Sequence, residues 1–128
     1  MAATSGLVLF AHGARDPEWA EPFRAIAARV AATRPDLDVK LAFLEFQSPA
    51  LADAINGMVQ SGHNRIRIAP LFMAQGGHLK NDVPKLLDSI RSSHPSLQLD
   101  LLPAIGDVAE LRDAIAAWLV KATPEISA

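Results

Sequence analysis

The chain reads as an α/β fold, a four-stranded parallel sheet flanked by helices, and three observations predict it. Short runs of β-forming residues occur four times, at Gly6 to Ala11, Val39 to Glu45, Arg65 to Ala69 and Leu97 to Leu102. Each run is followed by a stretch whose apolar residues recur at helical spacing. Proline, glycine and capping residues punctuate the junctions. Strict strand–helix alternation requires a parallel sheet with right-handed crossovers and helices on both faces. At 128 residues the chain suits one domain with a real core, expected to span residues 1–128 with frayed ends at 1–5 and 122–128.

The first run shows no alternation, as in a strand covered on both faces, and it ends at His12-Gly13. Asp16 and Pro17 carry helix-start chemistry, but Pro22 would then break an internal hydrogen bond. The regular helix is therefore expected near Glu21, with Phe23, Ile26, Ala27 and Val30 at helical spacing. Arg34-Pro35-Asp36 ends it, since the residue before a proline is pushed out of the α region. After the second strand, Ser48 is read as an N-cap with Pro49 in the first helical position, and Leu51, Ile55, Met58 and Val59 mark one face. Gly62 closes that helix. Pro70 is expected to stop ladder pairing of the third strand, and Leu71 to Lys80 to form a loop. Asn81 or Asp82 then caps a third helix carrying Pro84 in its first turn and a Val83, Leu86, Leu87, Ile90 stripe, with His94-Pro95-Ser96 as its stop. Beyond the loop Pro103 to Asp107, the residues Val108, Leu111, Ile115, Trp118 and Leu119 define a last amphipathic helix.

Composition narrows the chemistry. Half the residues are apolar, a fifth are charged and the formal net charge is −2, which is ordinary globular composition and disfavours nucleic acid as a partner. The absence of cysteine removes disulfides, thiolate metal sites, iron–sulfur clusters and cysteine nucleophiles together. Any metal must be held by histidine, carboxylate or backbone oxygen. The first six residues have no positive charge cluster and Leu7 to Ala11 is too short for a signal core or a span, so a cytoplasmic protein with no membrane partner is expected.

Ligands of open parallel sheets sit beyond the carboxyl ends of the strands. There the sequence places His12-Gly13, Glu45 and the segment Gly76-Gly77-His78-Leu79-Lys80. Two imidazoles facing one cleft suit a borderline divalent metal and are also bases near neutral pH, and a carboxylate beside them adds charge and a further proton acceptor, with the residues leaving open which of the three takes the protons. The glycines match neither the dinucleotide fingerprint nor the P-loop, so Gly13, Gly76 and Gly77 are read as loop geometry. His63 and His94 are read as exposed residues at helix ends, and Trp19 and Trp118 as core or interface anchors.

Three segments resemble the short sirohydrochlorin chelatases, relatives of the class II cobalt and iron chelatases. They are His12-Gly13-Ala14-Arg15-Asp16-Pro17, Ala42-Phe43-Leu44-Glu45 with Pro49 and Leu51, and Ala69 to His78 with Asp82 and Pro84. The similarity runs from about Leu7 to about Leu87, and the last third is generic. Ala14 stands where many members carry serine, and Phe46-Gln47 replaces smaller residues. The resemblance implies a flavodoxin-like chelatase half-domain that inserts a divalent metal (Co²⁺, Fe²⁺ or Ni²⁺, as substrate) into sirohydrochlorin or a related tetrapyrrole. It further implies no ATP and no permanently bound cofactor. His12 and His78 would face the metal with Glu45 assisting. Arg15 and Lys80 would hold the ring's carboxylates, while Phe46, Leu71, Phe72, Met73, Gly76 and Gly77 would line its pocket. Longer members hold two such domains, so a chain of this length is expected to form a homodimer. The competing readings are a metal or tetrapyrrole carrier that does not insert, a nucleotide-binding module, and a purely structural subunit.

Overall fold

The computed structural model describes residues 5–125, apart from the side chain of His78. Its elements are β1 (Ser5–Ala11), α1 (Glu21–Thr33), β2 (Leu37–Phe43), α2 (Leu51–Gln60), β3 (Arg65–Pro70), α3 (Gly77–Ser93), β4 (Gln98–Leu101) and α4 (Ala109–Ala122). Short 3-10 turns at Pro17–Ala20 and Ile105–Asp107 precede α1 and α4. The strands form one sheet in the order β2-β1-β3-β4, and every pairing is parallel. The predicted four-stranded parallel α/β architecture is therefore the one observed. Of the ends expected to fray, 1–5 and 122–128, residues 1–4 and 126–128 lie outside those described, while Ser5 pairs within β1 and Ala122 is the last residue of α4.

Right-handed crossovers fix the layers. The step from β1 to β2 runs one way across the sheet, and the steps to β3 and β4 run the other, so α1 lies on one face and α2 and α3 on the opposite one. The larger core fills the α2/α3 face. Val8, Phe10, Ile66, Ile68 and Leu99 from the strands meet Leu51, Ile55 and Met58 of α2 and Val83, Leu87 and Ile90 of α3. On the other face a small cluster of Ala11, Ala20 and Phe43 packs with Trp19, Phe23 and Leu41.

The local chemistry corrects several boundaries. Asp16 caps the 3-10 turn by accepting from the Glu18 amide at 3.0 Å, with Pro17 at its start, and α1 then begins at Glu21 as read from Pro22. The strand predicted at Val39 to Glu45 lies two residues earlier, at Leu37–Phe43, because Glu45 belongs to the turn beyond the sheet. Ser48 and Pro49 do not open α2. Their peptide bond is cis, the Pro49 carbonyl accepts from the Phe43 amide at 2.9 Å, and Ala50 is the N-cap without a side-chain cap. α3 starts at Gly77, ahead of Asn81 and Asp82, so the expected loop is shorter and Pro84 sits inside the helix. Pro84 cannot donate to the Lys80 carbonyl, a defect the helix tolerates.

Two expectations about burial are also decided. His63 is not exposed: it is 6% accessible, and its Nε2–H donates to the Asp38 carboxylate at 2.9 Å, because the turn after Gly62 folds the ring under β2. Its Nδ1 is buried without a hydrogen-bond partner. Of the two environments read for Trp118, core or interface, the core of its own chain is excluded. No residue of α4 is buried, and Trp118 is 64% accessible.

Candidate metal-handling rim

Three strand ends build the rim. β1 delivers His12 one residue past Ala11, and Gly13 then turns the chain at φ 86°. A Cβ at Gly13 would lie 1.8 Å from the Glu45 carbonyl oxygen, so only glycine permits the β1 and β2 loops to approach this closely. The approach is stitched by backbone hydrogen bonds. The Leu44 amide donates to the Ala11 carbonyl at 2.9 Å, and the Glu45 amide to the His12 carbonyl at 3.0 Å. The two candidate groups, one imidazole and one carboxylate, thus share a rigid backbone frame.

Phe46 continues that frame under strain. Its φ of 66° and the Gln47 amide donating to the Glu45 carbonyl at 2.8 Å make a γ-turn of the rare positive-φ kind. Such a conformation costs on the order of 1–3 kcal/mol for a non-glycine residue and collects at functional sites. Here it holds the Phe46 ring 56% accessible, with the Arg15 guanidinium 4.9 Å above the ring. The Gln47 side-chain oxygen accepts from the Ala14 amide at 3.4 Å, closing the loop on itself.

The His12 ring is exposed and sits 4.5 Å from the Phe72 ring, tilted by 57°. Phe72 is buried and meets Phe10 edge-on at 5.5 Å, so the imidazole rests on a platform continuous with the core. Phe72 is thus a floor under His12, not part of an open wall. Of the other predicted wall residues, Met73 is exposed, Leu71 half-buried, and Gly76 and Gly77 lie at the open start of α3. Among the described residues neither the His12 ring nor the Glu45 carboxylate has a side-chain hydrogen bond, which leaves both free for a ligand.

His78 is the second residue of α3, on the same edge of the sheet; its side chain lies outside the described residues. Lys80 and Arg15 are exposed on the flanking segments. Sequence reasoning missed Leu44, which like Phe46 and Met73 is an exposed apolar residue just past a strand end on this edge of the sheet. The signal was an apolar residue just past a strand end, where a buried position is the default expectation. Among the described residues no cluster of three or more histidine, cysteine or acidic side chains converges. Two cavities of about 350 Å³ each lie away from this rim, one beside His63 and His94, the other beside Arg65 and Arg67.

The fold and the rim define a class: a small parallel α/β unit that presents imidazole, carboxylate and an apolar fringe at its carboxyl edge and has no phosphate-binding loop. Comparison with known proteins agrees with it and narrows it. The CbiX family profile matches residues 6–122, and the chain belongs to that family. It is 31% identical over 124 residues to the sirohydrochlorin cobaltochelatase of Saccharolobus islandicus, covering 94% of both chains. A cobalamin (vitamin B12) biosynthesis CbiX protein from Marinobacter aquaeolei VT8 superposes with a TM-score of 0.80 at 27% identity, over 92% of this chain and 96% of that one. The sirohydrochlorin chelatase SirB of Bacillus subtilis subspecies spizizenii, solved with cobalt, shares the fold at a TM-score of 0.71 and 23% identity. This chain covers 92% of itself but only 50% of SirB.

Proposed function

We propose that this protein is a sirohydrochlorin chelatase, inserting cobalt or iron as the divalent ion into sirohydrochlorin or a related tetrapyrrole without ATP, in cobalamin or siroheme biosynthesis. The observation that carries the reading is the free His12 imidazole, seated on Phe72 and tied through backbone hydrogen bonds to the Glu45 turn. Family membership supplies the reaction class, and the names of the relatives favour cobalt.

Insertion requires that the ion lose water and that two pyrrole nitrogens lose protons. His12 and His78 replace waters on the ion with exchangeable nitrogen ligands, and the ring's nitrogens then displace them. The two protons pass to Glu45, an exposed carboxylate on the turn tied to His12, and to an imidazole that has released the ion, and the carboxylate also offsets the ion's charge. The fringe of Leu44, Phe46 and Met73 receives the flat apolar face of the macrocycle, while Arg15 and Lys80 engage its carboxylates. The chain acts as a single chelatase-like domain with no resident cofactor. It works in the cytoplasm as a homodimer, two rims facing each other across one cavity, and the half-length match to SirB supports that pairing. Among the described residues no helix is long and apolar enough to cross a membrane.

The test is spectroscopic. Purified protein is mixed with sirohydrochlorin and, separately, Co²⁺, Fe²⁺ and Ni²⁺, and the macrocycle spectrum is followed. His12→Ala and His78→Ala should each abolish or cripple the conversion with the fold intact. Undiminished turnover in both single variants refutes the assignment, and ring binding with no conversion by the parent protein makes it a carrier instead.

A further inference from the structure

His63 and His94 play no part at the rim, yet both line one cavity of about 350 Å³ at the amino end of the sheet, the edge opposite His12. Its walls are the segments that leave α2 and α3 and enter β3 and β4, residues 62–64 on one side and 93–97 on the other. Backbone hydrogen bonds hold both in place. The His63 amide donates to the Met58 carbonyl at 3.1 Å and the Leu97 amide to the His94 carbonyl at 3.0 Å, while the Gln98 amide ties one segment to the other through the Asn64 carbonyl at 2.9 Å.

The two imidazoles are prepared alike. The Nε2–H of His63 donates to the Asp38 carboxylate at 2.9 Å, and that of His94 to the Asn56 amide oxygen at 3.2 Å. Each acceptor fixes the tautomer of a neutral ring, so the Nδ1 of each carries a lone pair. His63 Nδ1 is buried without a partner, and among the described residues His94 Nδ1 has none either. A buried acceptor left without a partner is rare and calls for a ligand to complete it. An imidazole whose far N–H is held by a carboxylate, with its other nitrogen unspent, is the arrangement that metal ligands adopt. The surrounding field has the matching sign. α2, of ten residues, and α3, of seventeen, both end at this cavity, and helix carboxyl ends favour a cation. No lysine or arginine lines the cavity, and the Asp38 carboxylate stands behind His63.

We propose that this cavity is a divalent-cation site separate from the rim, taking a borderline transition ion such as Co²⁺, Ni²⁺ or Zn²⁺ on Nδ1 of His63 and Nδ1 of His94, with water completing the coordination. Asp38 and Asn56 position the two ligands. The length of β1, seven residues or about 23 Å, separates the site from His12, so the two load independently. His94 is half-buried and His63 only 6% accessible, so the ion meets His94 first and reaches the inner nitrogen as the turn at 93–97 yields. Uptake is therefore slower here than at the exposed His12. The site stands whether or not the rim inserts metal into a ring.

The full chain carrying His12→Ala and His78→Ala, which removes both imidazoles of the rim, is titrated calorimetrically with Co²⁺. One ion per chain should still bind. Zn²⁺ serves for NMR of the same protein: the ¹⁵N signal of His63 Nδ1 should move on binding while Nε2 keeps its proton. In that background Asp38→Asn retains an acceptor oxygen but loses the charge, and it should weaken Co²⁺ binding by about 10–100-fold. His94→Gln should weaken it by about 10-fold or more with unchanged circular dichroism, and Asp38→Leu combined with His63→Leu, which keeps the interior filled, should abolish it. Absence of Co²⁺ uptake by the rim-deleted protein overturns the proposal. So does uptake that leaves the His63 Nδ1 signal unmoved or that is indifferent to these substitutions, water alone then satisfying that nitrogen. The insertion assay on the parent chain reads the rim and decides the chelatase reading independently.

Discussion

Replacing Gly13 by alanine tests whether the frame joining His12 to Glu45 sets the reaction. The new Cβ would sit 1.8 Å from the Glu45 carbonyl oxygen, where atoms closer than 3.0 Å force a shift, so the two loops must part by at least 3.0 − 1.8 = 1.2 Å. The residue would also be held at φ 86°, which costs a non-glycine residue about 1–2 kcal/mol. Urea unfolding should therefore show a loss of at least about 1–2 kcal/mol. A displacement near 1 Å between reacting groups costs on the order of 100-fold in rate, and insertion should fall by about that factor. Gly62 is the control. Its φ is 94°, but a Cβ there meets nothing within 4 Å, and it lies at the far end of the sheet. Gly62→Ala should lose a similar 1–2 kcal/mol of stability and no activity. Equal activity losses in the two variants, or a Gly13→Ala protein with parental stability and rate, would refute the reasoning.

Three further outcomes follow from the contacts. Phe72→Ala removes the floor of the imidazole and a buried ring together; stability should fall by about 3–5 kcal/mol in urea unfolding, and metal titration at subdenaturing urea should show weakened binding through His12. Asp38→Ala leaves the buried His63 imidazole without its acceptor and should cost about 1–3 kcal/mol, whereas Asp38→Leu combined with His63→Leu should recover much of that loss. Asp36 carries a pH signature. Hydrogen bonds from the Arg34 guanidinium hold its carboxyl below the usual carboxylate range. Its folded pKa is thus depressed, so the pair's contribution is present above the unfolded pKa and is lost as pH falls through the folded one. The effect is small and salt-screened at this exposed site; an NMR titration of the Asp36 carboxyl should give a depressed midpoint that returns to the ordinary range in Arg34→Ala.

The elements were legible wherever local physics decides them. Apolar strand runs, the Pro22 and Gly62 signals and the helical stripes of α2 and α3 each appear at or near the predicted place, because period and backbone sterics act within a few residues. Boundaries failed where distant partners decide. Pro49 serves β2 through its carbonyl instead of opening α2, and α3 starts at Gly77 ahead of the better capping residues. Of the site, the sequence placed His12, Glu45 and His78 at strand ends. It gave no sign of the Phe46 turn or of Leu44 in the fringe, which depend on how the β1 and β2 loops meet.

Alternation of strand and helix determined a parallel sheet, and a parallel sheet determined the edge at which chemistry gathers, since crossover geometry leaves only the carboxyl ends open. Which side chains are buried at that edge, and which helices find a layer, was decided by tertiary structure alone. For this reason His63 is buried where the sequence suggested exposure. Periodicity shows that a helix has an apolar face, but the surface that face meets is set by contacts between residues far apart in the chain, or between two chains.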